Sequence, residues 1–362
     1  MPDGTLPDLL WVPTDKGVAL SAPACASCHT YYHPNGDAVA GAPLGGGRLF
    51  RSAPIMPQMH AEHRLVNASS PFVMGKDQPI GAWLYQAWGV PWRDDDIHKR
   101  LKTITAEEYD VLRRWYGTAR GLPRWNGSIY YPHKTPDLIG VKGRKYIDAT
   151  ATHLHRDIGD LMRYAATVMV AEPVQFGTHR VLAPGSQRVQ VRRSDEALYA
   201  LALYIYSLKP PPNPHSFDDQ ARAGQKIFER EGCGGCHTPP LYTNNKLTLA
   251  TGFTPPKNLP RSLDVLPISV GTDPGLALDT RKGTGFYKVP SLKGVWYRGR
   301  YLHHGAVASL EEMFDPNRLR ADYVPKGWRP FGTKAYSVRG HEFGLKLSSQ
   351  EREQLIAFLR TL

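Results

Sequence analysis

All four cysteines of this chain fall in two copies of one five-residue pattern, Cys25-Ala-Ser-Cys28-His29 and Cys233-Gly-Gly-Cys236-His237. Two thiols three positions apart can add to the two vinyl groups of one porphyrin while the adjacent imidazole reaches the iron. The pattern is therefore the attachment site of a c-type haem, with His29 and His237 as proximal ligands. A redox dithiol, a disulfide or half of a four-cysteine zinc site would leave both histidines unexplained. With 14 histidines in 362 residues, chance would place one after both pairs roughly once in seven hundred. The expected cofactors are two covalently bound haem c groups, and no cysteine is left for a structural disulfide.

The chain is long enough for two domains of ordinary size, one per haem. Ser194 can cap a helix running to Leu208, and Lys209-Pro210-Pro211-Pro212-Asn213-Pro214 cannot continue it. That places the expected boundary between an N-terminal haem domain, 1–209, and a C-terminal haem domain, 210–362. Beyond it, Asp218 to Arg230 reads as a helix that delivers Cys233. Capping boxes are expected at Thr105/Glu108, ahead of Tyr109, Leu112, Trp115 and Tyr116, at Ser309/Glu312, and at Ser348/Glu351. The last opens a helix with Leu355, Phe358, Leu359 and Leu362 on one face. Leu241 to Lys288, rich in Gly, Pro, Thr and Asn, reads as loop wrapping a haem edge. The expected fold class is mainly α: two c-type cytochrome domains, each with one covalent haem, and long loops.

The formal charge of +12 fits an anionic surface or an acidic redox partner protein. The basic residues are scattered and no nucleic-acid motif accompanies them, so no nucleic-acid partner is expected. No run of 18 apolar residues occurs, and Leu198 to Leu208 suits a buried helix, so no membrane span is expected. The amino terminus, MPDGTLPDLL, lacks a basic segment followed by an apolar one. Any secretion signal has been cleaved or omitted, and the expected location is periplasmic or secreted.

A haem that only moves electrons is usually six-coordinate, whereas one that activates peroxide or dioxygen keeps an open or openable position. For the second haem the candidate distal ligands are His341, His303, His304 and Met313. For the first, Met56, Met59, His60 and His63 cluster in a Pro-rich segment.

Phe286-Tyr-Lys-Val-Pro-Ser-Leu-Lys-Gly-Val295, Tyr301-Leu-His-His-Gly305 and Ser309-Leu-Glu-Glu312 resemble the block that follows the second haem in the bacterial dihaem cytochrome c peroxidases and the related methylamine-utilisation enzymes. Leu198 to Pro214, Asp315 to Pro325 and Gly340-His-Glu-Phe-Gly344 are similar to the dihaem rubber oxygenases, the nearest branch. The resemblance covers most of residues 130–362. It implies His341 as distal ligand of the second haem and His303 beside the haem propionates. It makes the first haem the site that reacts with hydrogen peroxide or dioxygen, with the second relaying electrons. His153, His155 and Arg156 become candidates for the base and donor on the reactive face. Tyr146 falls near an aromatic that bridges the haems. The chain is shorter than a rubber oxygenase, so the substrate, small molecule or polymer, is not carried over. The competing expectation is a pure electron-transfer cytochrome with both irons six-coordinate.

Overall fold

Helices stand where the sequence supplies caps. The computed structural model of the chain describes residues 11–14, 17–20, 25–33, 37–43, 92, 108, 111–112, 121–122, 130–131, 133–168, 175–176, 179–180, 194–280 and 283–362. Among them four helices exceed two turns: α1 (Ile158–Val168), α2 (Asp195–Ser207), α3 (Asp219–Arg230) and α4 (Ser349–Arg360). Ser194 accepts from the backbone N–H of Ala197 at the start of α2, and Asp218 from that of Ala221 at the start of α3. At α4, Ser348 and Glu351 form the reciprocal capping box, which satisfies two otherwise orphaned donors. The Ser309/Glu312 pair makes half a box. Ser309 accepts from the Glu312 N–H, but the Glu312 carboxylate is buried and turns to the N–H groups of Ala308 and Lys326 and to the Tyr323 hydroxyl. Thr105 lies outside the described residues.

Two helix pairs build the core. In α1 and α2, Leu161, Met162 and Ala166 pack on Leu198, Ala202 and Ile205. In α3 and α4, Ile227 and Phe228 share a cluster with Leu355, Phe358 and Leu359, the Phe228 and Phe358 rings lying 5.4 Å apart. Each such apolar side chain contributes about 1.5–3 kcal/mol on burial. The second pair crosses at Gly224, where a Cβ would overlap the Gln354 carbonyl and crowd Phe358. Only glycine lets the two backbones approach that closely.

The segment 241–288, expected as loop, carries a three-stranded sheet of order β2-β1-β3. Its centre β1 (Leu247–Leu249) runs parallel to β2 (Val265–Leu266) and antiparallel to β3 (Phe286–Lys288). Strands of two and three residues are too short to show a period-two pattern in sequence, so the Gly- and Pro-rich connections hid them. Further short ladders pair Thr30–Tyr32 with Ala38–Ala40, Gly121–Leu122 with His133–Lys134, and Tyr146–Ile147 with His153–Leu154. The mainly α expectation therefore needs these ladders added.

Residues 209–217 hold no regular structure and connect α2 to α3. Apolar clusters cross this connection. Val39, Ala42 and Ile139 pack with Tyr297, and Tyr146 and Ala151 pack with Leu247 and Phe286.

Candidate cofactor site

Both five-residue patterns fold into the same turn. Cys25–Cys28 is one helical turn and Cys233–Gly235 a 3-10 turn. The His29 N–H donates to the Cys25 carbonyl at 3.0 Å, and that of His237 to Cys233 at 2.9 Å. Each imidazole is then oriented by its Nδ1, which donates to a backbone carbonyl: Pro136 for His29 at 3.0 Å, Tyr242 for His237 at 3.1 Å. That bond fixes which ring nitrogen carries the proton. Cys25, Cys233 and Cys236 are free thiols. Burial pushes Cys233 up to about 11 and Cys236 upward as well, opposite to the lowered thiol of a redox-active pair.

His29 and His237 line one cavity of about 380 Å³, together with Cys233, Cys236 and His341. Within it the rings of His237 and His341 are neighbours, centroids 6.2 Å apart and planes tilted by 58°. Two metal–nitrogen bonds of about 2 Å with a ring radius at either end span about that distance. Nδ1 of His341 is buried with no hydrogen-bond partner. Burial, His237 and Arg318 lower His341 to about 4, so it is neutral at pH 7, as a ligand must be. Local backbone sets it there. Gly340 has φ +85°, and a Cβ on it would collide with the backbone of Thr272; the His341 N–H donates to Val270 at 2.6 Å.

The anchor of this loop is Arg318, whose side chain is wholly buried. It donates to the carbonyls of Met313 (3.0 Å), Val338 (2.5 Å), Gly340 (3.0 Å) and His341 (2.8 Å). Sequence reasoning passed over it, because its partners are backbone atoms up to 23 residues away.

Sequence reasoning also missed the charge around the cavity. Four cations line it, Lys134, Arg144, Lys288 and Arg298, against two carboxylates, Asp137 and Asp148, among the described residues. Arg144 and Arg298 share Asp137, each at 3.7 Å, and Nε of Arg298 is buried without a hydrogen bond. Burial, with Arg298 and Arg144 near, brings Lys134 down to about 7; burial and Arg144 do the same to Lys288. Four desolvated basic groups against two carboxylates make a wall whose charged form an anion would stabilise. Porphyrin propionates are such anions. The thiols, oriented imidazoles, neighbouring His237/His341 pair and basic wall together fit haem.

The other candidates fall into place around this cavity. His303 lines it, stacked on Tyr287 at 4.6 Å with both nitrogens engaged, by Thr272 Oγ1 (3.4 Å) and the Tyr287 hydroxyl (3.3 Å). His304 is buried against Trp328, and Met313 belongs to the apolar cluster around α4 while also lining the cavity. Tyr146 lines the cavity too, 1% exposed, its hydroxyl accepting from the Asp264 N–H at 2.8 Å.

His153, His155 and Arg156 are not among the cavity-lining residues. His155 has both ring nitrogens occupied, by the Arg144 carbonyl (2.8 Å) and the Tyr206 hydroxyl (2.7 Å). Arg156 is 65% exposed and forks onto Asp160 at 2.8 and 2.9 Å. His153 bonds Thr152 Oγ1 and stands edge-on to Tyr164, which itself lines the cavity. Their closeness in sequence to Tyr146 does not carry their side chains to the cavity. Met56, Met59, His60 and His63 lie outside the described residues.

No protein-family model matches the chain. Among solved structures it is similar to a MauG-like protein associated with microbial copper homeostasis, with 16% identity, 76% of this chain and 92% of that chain covered, and a TM-score of 0.36. A likeness so loose fixes neither fold nor activity. In sequence the chain is 26% identical over 166 residues to the cytochrome-c peroxidase IdrP1 of Pseudomonas sp. (strain SCT), a match spanning 41% of each protein. This partial sequence likeness supports the dihaem peroxidase superfamily and leaves the rubber-oxygenase branch without support of its own.

Proposed function

We propose that the chain is a dihaem c-type oxidoreductase acting in the periplasm or outside the cell. The haem of Cys25, Cys28 and His29, in domain 1–209, reacts with hydrogen peroxide or dioxygen. The haem of Cys233, Cys236 and His237, in domain 210–362, relays electrons with His341 as its second ligand. The observation that carries this reading is the approach of the His237 and His341 rings to 6.2 Å inside the cavity. Bound haem iron supplies one-electron chemistry and, where a coordination position is open, a place for peroxide or dioxygen. His237 and His341 together would saturate an iron held at the second site, so the oxygen substrate is assigned to the first. Arg144 and Lys288, which line this cavity alone, hold the propionates, and Tyr146 lies on the wall of the cavity that both proximal histidines share. The partial likeness to a cytochrome-c peroxidase favours peroxide over dioxygen.

The second reading, an electron carrier, is favoured by the same histidine pair if the first iron is saturated as well. Protein matured with a c-haem assembly system separates the two. Mass spectrometry should show two covalent haems, and cyanide should bind one of them in the ferric protein; His341→Ala should add a second cyanide site while the first is kept. Peroxide should then turn over with an electron donor. Wild-type protein that binds no cyanide and ignores peroxide is a carrier, and one haem or a bound zinc would end the dihaem reading.

A further inference from the structure

A second cavity of about 270 Å³ adjoins the cofactor cavity, and Lys134 and Arg298 line both. With Pro43 they are the residues common to both walls. On the outer side they are joined by Arg300, and the remaining wall is mainly aromatic: Tyr31, Trp296 and Tyr297. No carboxylate is among the described residues that line it. Three cations and three aromatic rings around a small volume make a site for a flat molecule carrying negative charge. The volume lies just below the roughly 300–1,000 Å³ of pockets for drug-sized ligands, which suits a single ring.

The rim is built and held. Gly299, Arg300 and Leu302 have φ of +39°, +53° and +61°, and left-handed backbone at non-glycine residues persists only where surrounding contacts enforce it. Here they do. Lys134 Nζ donates to the Arg300 carbonyl at 2.9 Å, the Lys134 N–H to His303 at 2.8 Å, and the Tyr301 N–H to Val307 at 2.7 Å. The same strained segment thus shapes the outer pocket and leads directly into the cavity-lining His303.

We propose that this outer pocket binds a small aromatic anion of the benzoate or phenolate class, its charge on Arg298, Arg300 and Lys134 and its ring against Trp296 and Tyr31. Binding stands by itself. The role we assign it, delivery of a reducing substrate to the cofactor edge, rests on the oxidoreductase reading. In that role two phenolates each give up one electron, and one peroxide takes up the two electrons with two protons from solvent to become two waters.

The test is calorimetric titration of the holoprotein with benzoate, with benzyl alcohol as the uncharged ring and acetate as the ringless anion. Benzoate should bind one to one, and each control at least about tenfold more weakly. Benzoate affinity should survive saturation of the iron with cyanide. Arg300→Gln and, separately, Trp296→Leu should each weaken benzoate about tenfold, with unchanged haem spectra showing that the fold is intact. Acetate binding as tightly as benzoate, loss of benzoate binding on adding cyanide, or no saturable binding overturns the pocket. Peroxide turnover is measured on the same sample without benzoate, so failure of the oxidoreductase reading shows separately.

Discussion

Arg318 Nη2 donates to the backbone carbonyl of His341 at 2.8 Å, the end point of a guanidinium that serves four carbonyls from a wholly buried position. The relationship makes His341 a residue placed by its backbone. Its own side chain contributes little to that placement, since Nδ1 has no hydrogen-bond partner.

Arg318→Lys keeps the charge but loses the planar fork, so most of these carbonyls lose their donor. Stability should fall by about 2–4 kcal/mol in denaturant unfolding of the holoprotein. The low-spin signal assigned to the second haem should weaken in parallel, and cyanide should begin to bind there. An unchanged spectrum would show that the His341 loop holds without the clamp.

The crossing of α3 and α4 offers a sharper stability test. Gly224→Ala puts a methyl group into the Gln354 carbonyl, a backbone atom that cannot swing away. The loss should be at least about 1–3 kcal/mol by thermal or urea unfolding. A variant as stable as wild type would mean that the helices separate freely, and that the crossing does not fix the turn carrying Cys233.

These two sites also show what was legible in the chain. The caps at Ser194 and Ser348, the helix that begins at Asp218, and the apolar face of α4 are local patterns, set by neighbours within four residues, and the structure reproduces them. Arg318 with its carbonyls, and Lys134, Arg144, Lys288 and Arg298 around Asp137, join positions far apart in sequence. No spacing rule marks them. His153, His155 and Arg156, candidates that followed from the resemblance, likewise make contacts that no local pattern marks. The short ladder that brings His153 opposite Ile147 leaves it edge-on to Tyr164, and His155 bonds Tyr206 of α2, 51 residues on.

Asp160 gives a pH dependence of definite sign. The Arg156 guanidinium, with Arg163 beside it, holds this carboxyl well below the usual carboxylate range. A depressed folded-state pKa contributes stability that is fully present above the unfolded value of about 3.9 and is lost as pH falls toward the folded one. Both arginines are partly exposed, which limits the size of the effect. Asp160→Asn should therefore be less stable than wild type by about 1–2 kcal/mol at neutral pH. The gap should narrow in urea unfolding below about pH 4. A gap that stays constant down to strong acid would mean that ionisation of Asp160 is not what steadies α1.

Tyr146 is the aromatic on which a relay between the two haems can be tested. It lines the cavity shared by His29 and His237, packs with Leu247 and Phe286, and its hydroxyl takes the Asp264 N–H. Two roles are thus superposed, since the ring fills core volume beside the cofactors and the hydroxyl ties down the segment before β2. Tyr146→Phe removes only the tie and should lower stability by about 1–2 kcal/mol, leaving the ring in place. Tyr146→Leu removes the π system as well. If the ring assists transfer, stopped-flow reduction should show the Leu variant slowed about tenfold in haem-to-haem exchange, about 1.4 kcal/mol of barrier, and the Phe variant close to wild type. The reduction potentials of both haems, measured alongside, separate a lost relay from a shifted driving force. Equal rates in both variants at unchanged potentials would reduce Tyr146 to a packing residue and send the electron path elsewhere along the cavity wall.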